Sequence, residues 1–61
     1  MKKEIYNADG SLRAVIYESS GRTEVYDASG RLQGVYNHDT NETHDASGSL
    51  VGRGNLLMTF I

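Results

Sequence analysis

The stretch Tyr26-Asp27-Ala28-Ser29-Gly30-Arg31-Leu32-Gln33-Gly34-Val35-Tyr36 decides the fold of this 61-residue chain, because it has the signature of a β-hairpin. Asp27 suits the first position of a type I turn, where its carboxylate accepts backbone N–H groups. Gly30 supplies the positive φ of a three-residue hairpin loop that ends in a bulge. The stretch therefore predicts two antiparallel strands joined at this turn.

Similar turn signatures recur along the chain at a spacing of about ten residues. Each consists of an acidic or amide residue, two further residues and Gly, at positions 7–10, 18–21, 27–30 and 45–48. A fifth, irregular turn is expected at 37–41, where Asn41 tolerates the left-handed conformation. Five short connections predict one all-β domain over residues 1–61, an antiparallel up-and-down meander of about six short strands without a helix.

The pairing expected from these turns sets Tyr26 opposite Leu32 and Val15 opposite Val25. Because both faces of the sheet are then partly apolar, the sheet is expected to curl strongly, to close into a barrel, or to pack one face on another subunit. One face would carry Ile5, Val15, Val25 and Val35, with Tyr17 near its rim, and the other Tyr6, Leu12, Ala14, Ile16, Tyr26, Leu32 and Tyr36.

The C-terminal segment Leu56-Leu57-Met58-Thr59-Phe60-Ile61 would be apolar on both faces of a strand. It is interpreted as a closing core strand or as a strand between subunits. A chain of 61 residues without Cys cannot use a disulfide to supplement a small core, so a homodimer or higher oligomer is expected. The candidate oligomer interface comprises Leu56, Leu57, Met58, Phe60 and Ile61.

Three seven-residue units, Tyr6–Leu12, Tyr26–Leu32 and His44–Leu50, resemble the tyrosine-aspartate repeat of RHS proteins and teneurins. In that family the repeats form β-hairpins that wind into large shells. The resemblance implies hairpins over about residues 4 to 52 but no activity. Three units without a long repeat array exclude a shell built by a single chain.

Catalytic and metal chemistry find little support in the sequence. The richest polar segment, residues 37–45, contains two His and three carboxylates, but it matches neither the common zinc spacing nor a calcium-binding loop. Glu4 and Glu24 would share one face, where isolated solvated charges are the expected interpretation. We therefore predict a chain that is not an enzyme, with no catalytic residue, metal site or cofactor.

The tyrosine-bearing face is the candidate binding surface, because Tyr is enriched in protein contacts and Gly34 would leave a notch beside Tyr36. The expected function is a non-catalytic protein-binding module, in its most specific form a phage or mobile-element inhibitor of a host protein. The alternative is a single-stranded nucleic-acid or nucleotide binder that stacks bases on the same face. The candidate surface comprises Tyr6, Tyr26, Leu32, Gly34 and Tyr36.

Charge and hydropathy bear on the partners and the compartment. A formal net charge of -2, mixed in sign, argues against nucleic acid as the partner. No run approaches the ~18 apolar residues of a membrane span, and the N-terminus has no signal-peptide core. The expected partners are therefore a second copy of the chain and another protein, without a membrane, in the cytoplasm.

Overall fold

The computed structural model describes residues Met1 to Ile61. Its six strands form one antiparallel sheet, in which strands that follow each other in sequence are paired side by side. The tail follows the last strand and contains a single 3-10 turn, Leu57–Phe60. The predicted all-β up-and-down meander is confirmed, and no helix of the structure is long and apolar enough to cross a membrane. The strands are β1 (Lys2–Tyr6), β2 (Leu12–Glu18), β3 (Arg22–Asp27), β4 (Leu32–Asn37), β5 (Glu42–Asp45) and β6 (Leu50–Arg53).

The expected strong curl or closure into a barrel is wrong. Strands β1 and β6 pair on one side only and remain the two edges of an open sheet. The molecule measures 36 × 21 × 17 Å. Closure is not needed to bury one apolar face, because the C-terminal tail covers that face.

The turn between β3 and β4 has the predicted chemistry. One carboxylate oxygen of Asp27 accepts the backbone N–H groups of Ser29 and Arg31, each at 2.9 Å. Gly30 has a φ of +93°, in the left-handed region that side chains rarely adopt. The irregular turn is also confirmed, since Asn41 has a φ of 57°.

The predicted pairing of Val15 with Val25 is wrong by one residue. Val15 pairs with Tyr26, and Val25 pairs with Ile16. The cause is the position of the preceding turn: Glu18 still belongs to β2, and the turn is closed by the Ser19 N–H bonded to the Arg22 carbonyl at 2.9 Å. A shift of one residue moves every side chain of a strand to the other face.

A β-bulge follows each of the three turns that belong to the seven-residue units, at 7–10, 27–30 and 45–48. In the middle hairpin Tyr26 pairs with Leu32, as predicted, whereas Val25 pairs with Gly34, so Gln33 is an extra residue on β4. The same shift makes Arg13 the extra residue of β2 and Val51 that of β6. The bulge turns the next, small residue toward the face that the tail covers.

The core lies between that covered face and the tail. Its buried apolar side chains are Ala14, Ile16, Val25 and Leu57, with Ile5, Phe60 and Ile61 packed against them. A side chain on Gly34 would overlap the ring of Phe60, and a Cβ on Gly52 would lie 2.8 Å from Leu56 Cδ1. Small residues on β4 and β6 are therefore what allow the tail to lie against the sheet.

The tail is not the strand that its apolar sequence predicts. Gly54, with a φ of +87°, turns the chain away from β6 onto the covered face. Thr43, fully buried on β5, donates its hydroxyl to the Gly54 carbonyl at 2.6 Å and accepts the Leu56 N–H at 3.0 Å. These two bonds anchor the segment within its own chain.

Candidate protein-contact face

The side of the sheet opposite the tail, here called the open face, has no covering element. Residues paired across antiparallel strands share a face, so the register assigns its members. Each repeat contributes one cross-strand pair to this face: Tyr6 with Leu12, Tyr26 with Leu32, and His44 with Leu50. Between these pairs lie Val15, Tyr17 and Val35.

Two tyrosines pack together on the inner strands of the open face. The rings of Tyr17 on β2 and Tyr26 on β3 meet edge to face, with centroids 5.4 Å apart and planes at 89°. They border a shallow concavity of about 430 Å³, whose other lining residues include Val15, Glu24 and Ala28. Tyr17 remains 43% exposed. The depression is lined by both apolar and polar side chains, which suits contact with an amphipathic surface.

The charges of the open face are balanced. Arg22 and Glu24, two residues apart on β3, form an ion pair, and the Glu24 side chain is 20% exposed. Such a face has no excess of positive charge that would attract phosphate groups. Its charged residues, three of each sign, are Lys2, Arg22, Arg53, Glu4, Glu24 and Glu42.

Asp27 lies at the rim of the concavity and is held ionised by its turn. Hydrogen bonds to the carboxylate lower the pKa of Asp27 below its ordinary value. The bond from the Ser29 hydroxyl has the largest effect, and the bond from the backbone N–H of Arg31 has the next largest. Its hydrogen-bonding capacity is largely used within the turn, which makes Asp27 a structural residue of the rim.

The predicted binding residues do not all share this face. Tyr6, Tyr26 and Leu32 lie on it, whereas Gly34 is buried beneath Phe60 on the covered face. Tyr36 is also on the covered side, where its hydroxyl donates to Asn41 Oδ1 at 2.6 Å. Sequence reasoning placed Leu12 on this face but assigned Val15, Tyr17 and Val35 to the opposite one. Reading Ser19, instead of Glu18, as the start of the second turn would have placed Val15 and Tyr17 beside Tyr26. Val35 reaches this face because of the bulge at Gln33.

The residues of the predicted oligomer interface lie mostly against their own sheet. Leu57 is buried, and Leu56, Phe60 and Ile61 are half-buried. Only Met58 is well exposed, at 65%. The segment offers another chain far less apolar surface than an unpaired strand would.

The residues considered for chemistry are dispersed. His38 is hydrogen-bonded to the Thr23 hydroxyl at 2.7 Å on the covered side, whereas His44 lies on the open face. Glu4 and Glu24 are on strands separated by β2. No group of three or more potential metal ligands is brought together, and every buried side-chain N or O atom has a hydrogen-bond partner.

No family model, curated protein or solved structure matches this chain. The likeness of the three hairpin units to tyrosine-aspartate repeats therefore stays a resemblance, and functional inference rests on the open face itself.

Proposed function

We propose that this chain is a non-catalytic protein-binding module of the cytoplasm and that the open face is its contact surface. One observation carries the proposal: all three repeats place an aromatic or His residue paired with Leu on the face that the tail leaves uncovered. Contiguous apolar surface rimmed by polar residues is typical of protein contact sites. In its narrowest form, the proposal is a phage or mobile-element product that inhibits a host protein by occupying its surface.

The composition of the face supports a protein partner. Contact surfaces are enriched in Tyr at their centre and carry charged residues at their rim. Here Tyr17 and Tyr26 lie on the inner strands β2 and β3, while Lys2 and Arg53 lie on the two edge strands. The concavity beside the tyrosines offers a place for a single side chain of the partner, the kind of anchor that dominates binding energy at many interfaces.

The balanced charge weighs against the alternative of a single-stranded nucleic-acid binder. Such binders combine exposed aromatic faces with a continuous basic groove. On the open face the guanidinium of Arg22 is already paired with Glu24, and the edge of one tyrosine ring points at the other ring. Neither feature favours stacking bases along a phosphate track.

Affinity capture from the source cell, followed by mass spectrometry, tests the proposal with matched variants. Tyr17→Ser removes an exposed ring from the open face, and Met58→Ser removes an exposed side chain on the tail as the control. A specific partner is expected with the wild-type chain and Met58→Ser but not with Tyr17→Ser. Equal capture by all three proteins would contradict the proposal.

A second measurement addresses the alternative. Fluorescence anisotropy of a labelled single-stranded oligonucleotide is expected to show no binding at low salt. Binding that weakens steeply with added salt would instead favour the nucleic-acid function, because released counterions give such complexes their salt dependence.

A further inference from the structure

The open face is self-complementary about β4. The strands β3 and β5 flank β4, and the three strands present two rows of paired residues on this face. In one row Arg22 pairs with Asn37 and Asn37 with Glu42, whereas in the other Glu24 pairs with Val35 and Val35 with His44. Each row therefore has a group on β3 that is electrostatically suited to the group on β5.

We infer that the partner of the open face is a second copy of this chain, stacked face to face about a two-fold axis parallel to β4. This inference rests on the contact surface of the proposed function and puts a second copy of the chain in the place of the host protein named in its narrowest form. The axis superposes β3 of one chain on β5 of the other, which sets Arg22 against Glu42 of the partner subunit and Glu24 against His44 of the partner subunit. Val35 meets its own copy on the axis.

The residues farther from the axis are also compatible. Strand β2 superposes on β6, so the ring of Tyr17 meets Leu50 of the partner subunit. Both side chains are exposed in the single chain, Tyr17 at 43% and Leu50 at 56%. Stacked sheets are rotated by about 30° because each sheet is twisted, and this offset is smallest for the strands beside the axis. The pairs of Arg22 with Glu42 and of Glu24 with His44 lie on those strands.

The other surfaces of the molecule have features that oppose association with a second chain. Strand β1 exposes Lys2 and Lys3, and edge lysines oppose pairing with another strand. Strand β6 has four residues and contains the bulge at Val51, which interrupts a regular edge. The covered face is occupied by the tail. The open face is the one large surface without a device that prevents association.

The size of the face also suits a dimer. It follows the two longer dimensions of a molecule of 36 × 21 × 17 Å. Those two dimensions bound the face at slightly less than the ~800 Å² that each partner buries in a standard protein interface, and β1 has no strand opposite it across the axis. A further apolar contact would also stabilise the fold, because four buried apolar side chains are a small core for 61 residues. A two-fold contact enlarges that core without lengthening the chain.

Sedimentation equilibrium across micromolar concentrations tests the inference by charge reversal. The wild-type chain is expected to be a dimer. Arg22→Glu and Glu42→Arg should each raise the dissociation constant by at least about tenfold, because each sets like charges against each other across the axis. Arg22→Glu also removes the ion pair with Glu24 of its own chain, so Glu42→Arg is the cleaner of the two single variants. The Arg22→Glu/Glu42→Arg double variant restores opposite charges between the chains and should recover most of the affinity.

A second pair of variants covers the case in which charge reversal disturbs folding. Val35→Glu sets two carboxylates against each other on the axis and should yield folded monomer, as judged by circular dichroism. Met58→Glu, the same charge on the tail side, should leave the dimer intact. A wild-type monomer at about 100 μM would overturn the inference, since dimers of standard interfaces are far tighter. A dimer insensitive to Val35→Glu would also overturn it.

The experiments distinguish an error in the second-copy partner from an error in the open face as a contact surface. If the wild-type chain is a monomer but captures another protein in a Tyr17-dependent manner, only the second-copy partner is wrong. If it is a dimer that resists both Val35→Glu and Tyr17→Ser, and captured proteins do not depend on Tyr17, the open face is not a contact surface and both proposals fall.

Discussion

Replacing Gly34 by Ala should uncouple the tail from the sheet. The added Cβ would lie 2.9 Å from both Cδ2 and Cζ of Phe60 and still closer to Cε2, so the ring must move. Complete burial of a Phe side chain contributes about 1.5–3 kcal/mol, and Phe60 is half-buried, so we expect a loss of about 1–2 kcal/mol. A domain of this length has roughly 3–9 kcal/mol of total stability, which makes the loss easy to measure.

Urea unfolding followed by far-UV circular dichroism measures the change, with two controls. Gly21→Ala adds the same methyl group where no atom lies within 4 Å and φ is not positive, so stability should be unchanged or rise by about 0.4–1 kcal/mol. In a Phe60→Ala background the clash is absent, and Gly34→Ala should then cost little. An equal cost of Gly34→Ala with and without Phe60 would refute the contact.

Four further predictions follow from the turns, the buried threonine and the polar loop. Gly30→Val should lower the melting temperature, because a β-branched residue at a φ of +93° adds about 1–2 kcal/mol of strain; an unchanged melting temperature would refute the turn assignment. Thr43→Val should cost about 1–3 kcal/mol in urea unfolding, because the Leu56 N–H and the Gly54 carbonyl lose their partner; wild-type stability would show that the tail does not need this anchor. EDTA should change neither the melting temperature nor the spectra, and a drop restored by one divalent metal would make the 37–45 loop a metal site. In acid titration, the contribution of three turn aspartates to the free energy of unfolding should be fully present above about pH 4 and should be lost as the pH falls through their lowered folded-state pKa values. Replacing these residues by Asn should flatten this part of the stability profile. A profile unchanged by the Asn variants would exclude the linkage. Each of these pKa values is lowered first by a serine hydroxyl and then by backbone N–H groups, in Asp9, Asp27 and Asp45.

The turns could be predicted because their chemistry is local. Asp27 and Gly30 fix their loop through bonds and a φ value within five residues, and Asn41 does so by its tolerance of the left-handed conformation. Strand number and order follow from the turns, so the meander was also predictable. None of this requires knowledge of residues far away in sequence.

Which side chains share a face of the sheet was harder to predict than the turns, because a turn that starts one residue earlier or later moves the side chains of a strand to the other face. Whether Glu18 or Ser19 begins the second turn is a small local difference, yet it decides whether Val15 lies beside Val25 or beside Tyr26. The bulge at Gln33 shifts the next pair again. The tail was misread for a different reason: its apolar run is equally compatible with a strand and with a short 3-10 turn, and the anchoring hydroxyl of Thr43 lies 13 residues before Leu56.

The bulges also explain how one short repeat can serve both stability and contact. In each unit the aromatic or His residue and the Leu point to the open face, while the small residue after the bulge points to the tail. The outward position varies between Tyr26 and His44, because nothing within the chain covers it. The inward position is small in all three units, Ala14, Gly34 and Gly52, and at the two glycines Phe60 and Leu56 occupy the space of a side chain. Changes on the open face should therefore alter association with little effect on the core, which is what allows variants of Tyr17 or Val35 to report on binding and not on folding.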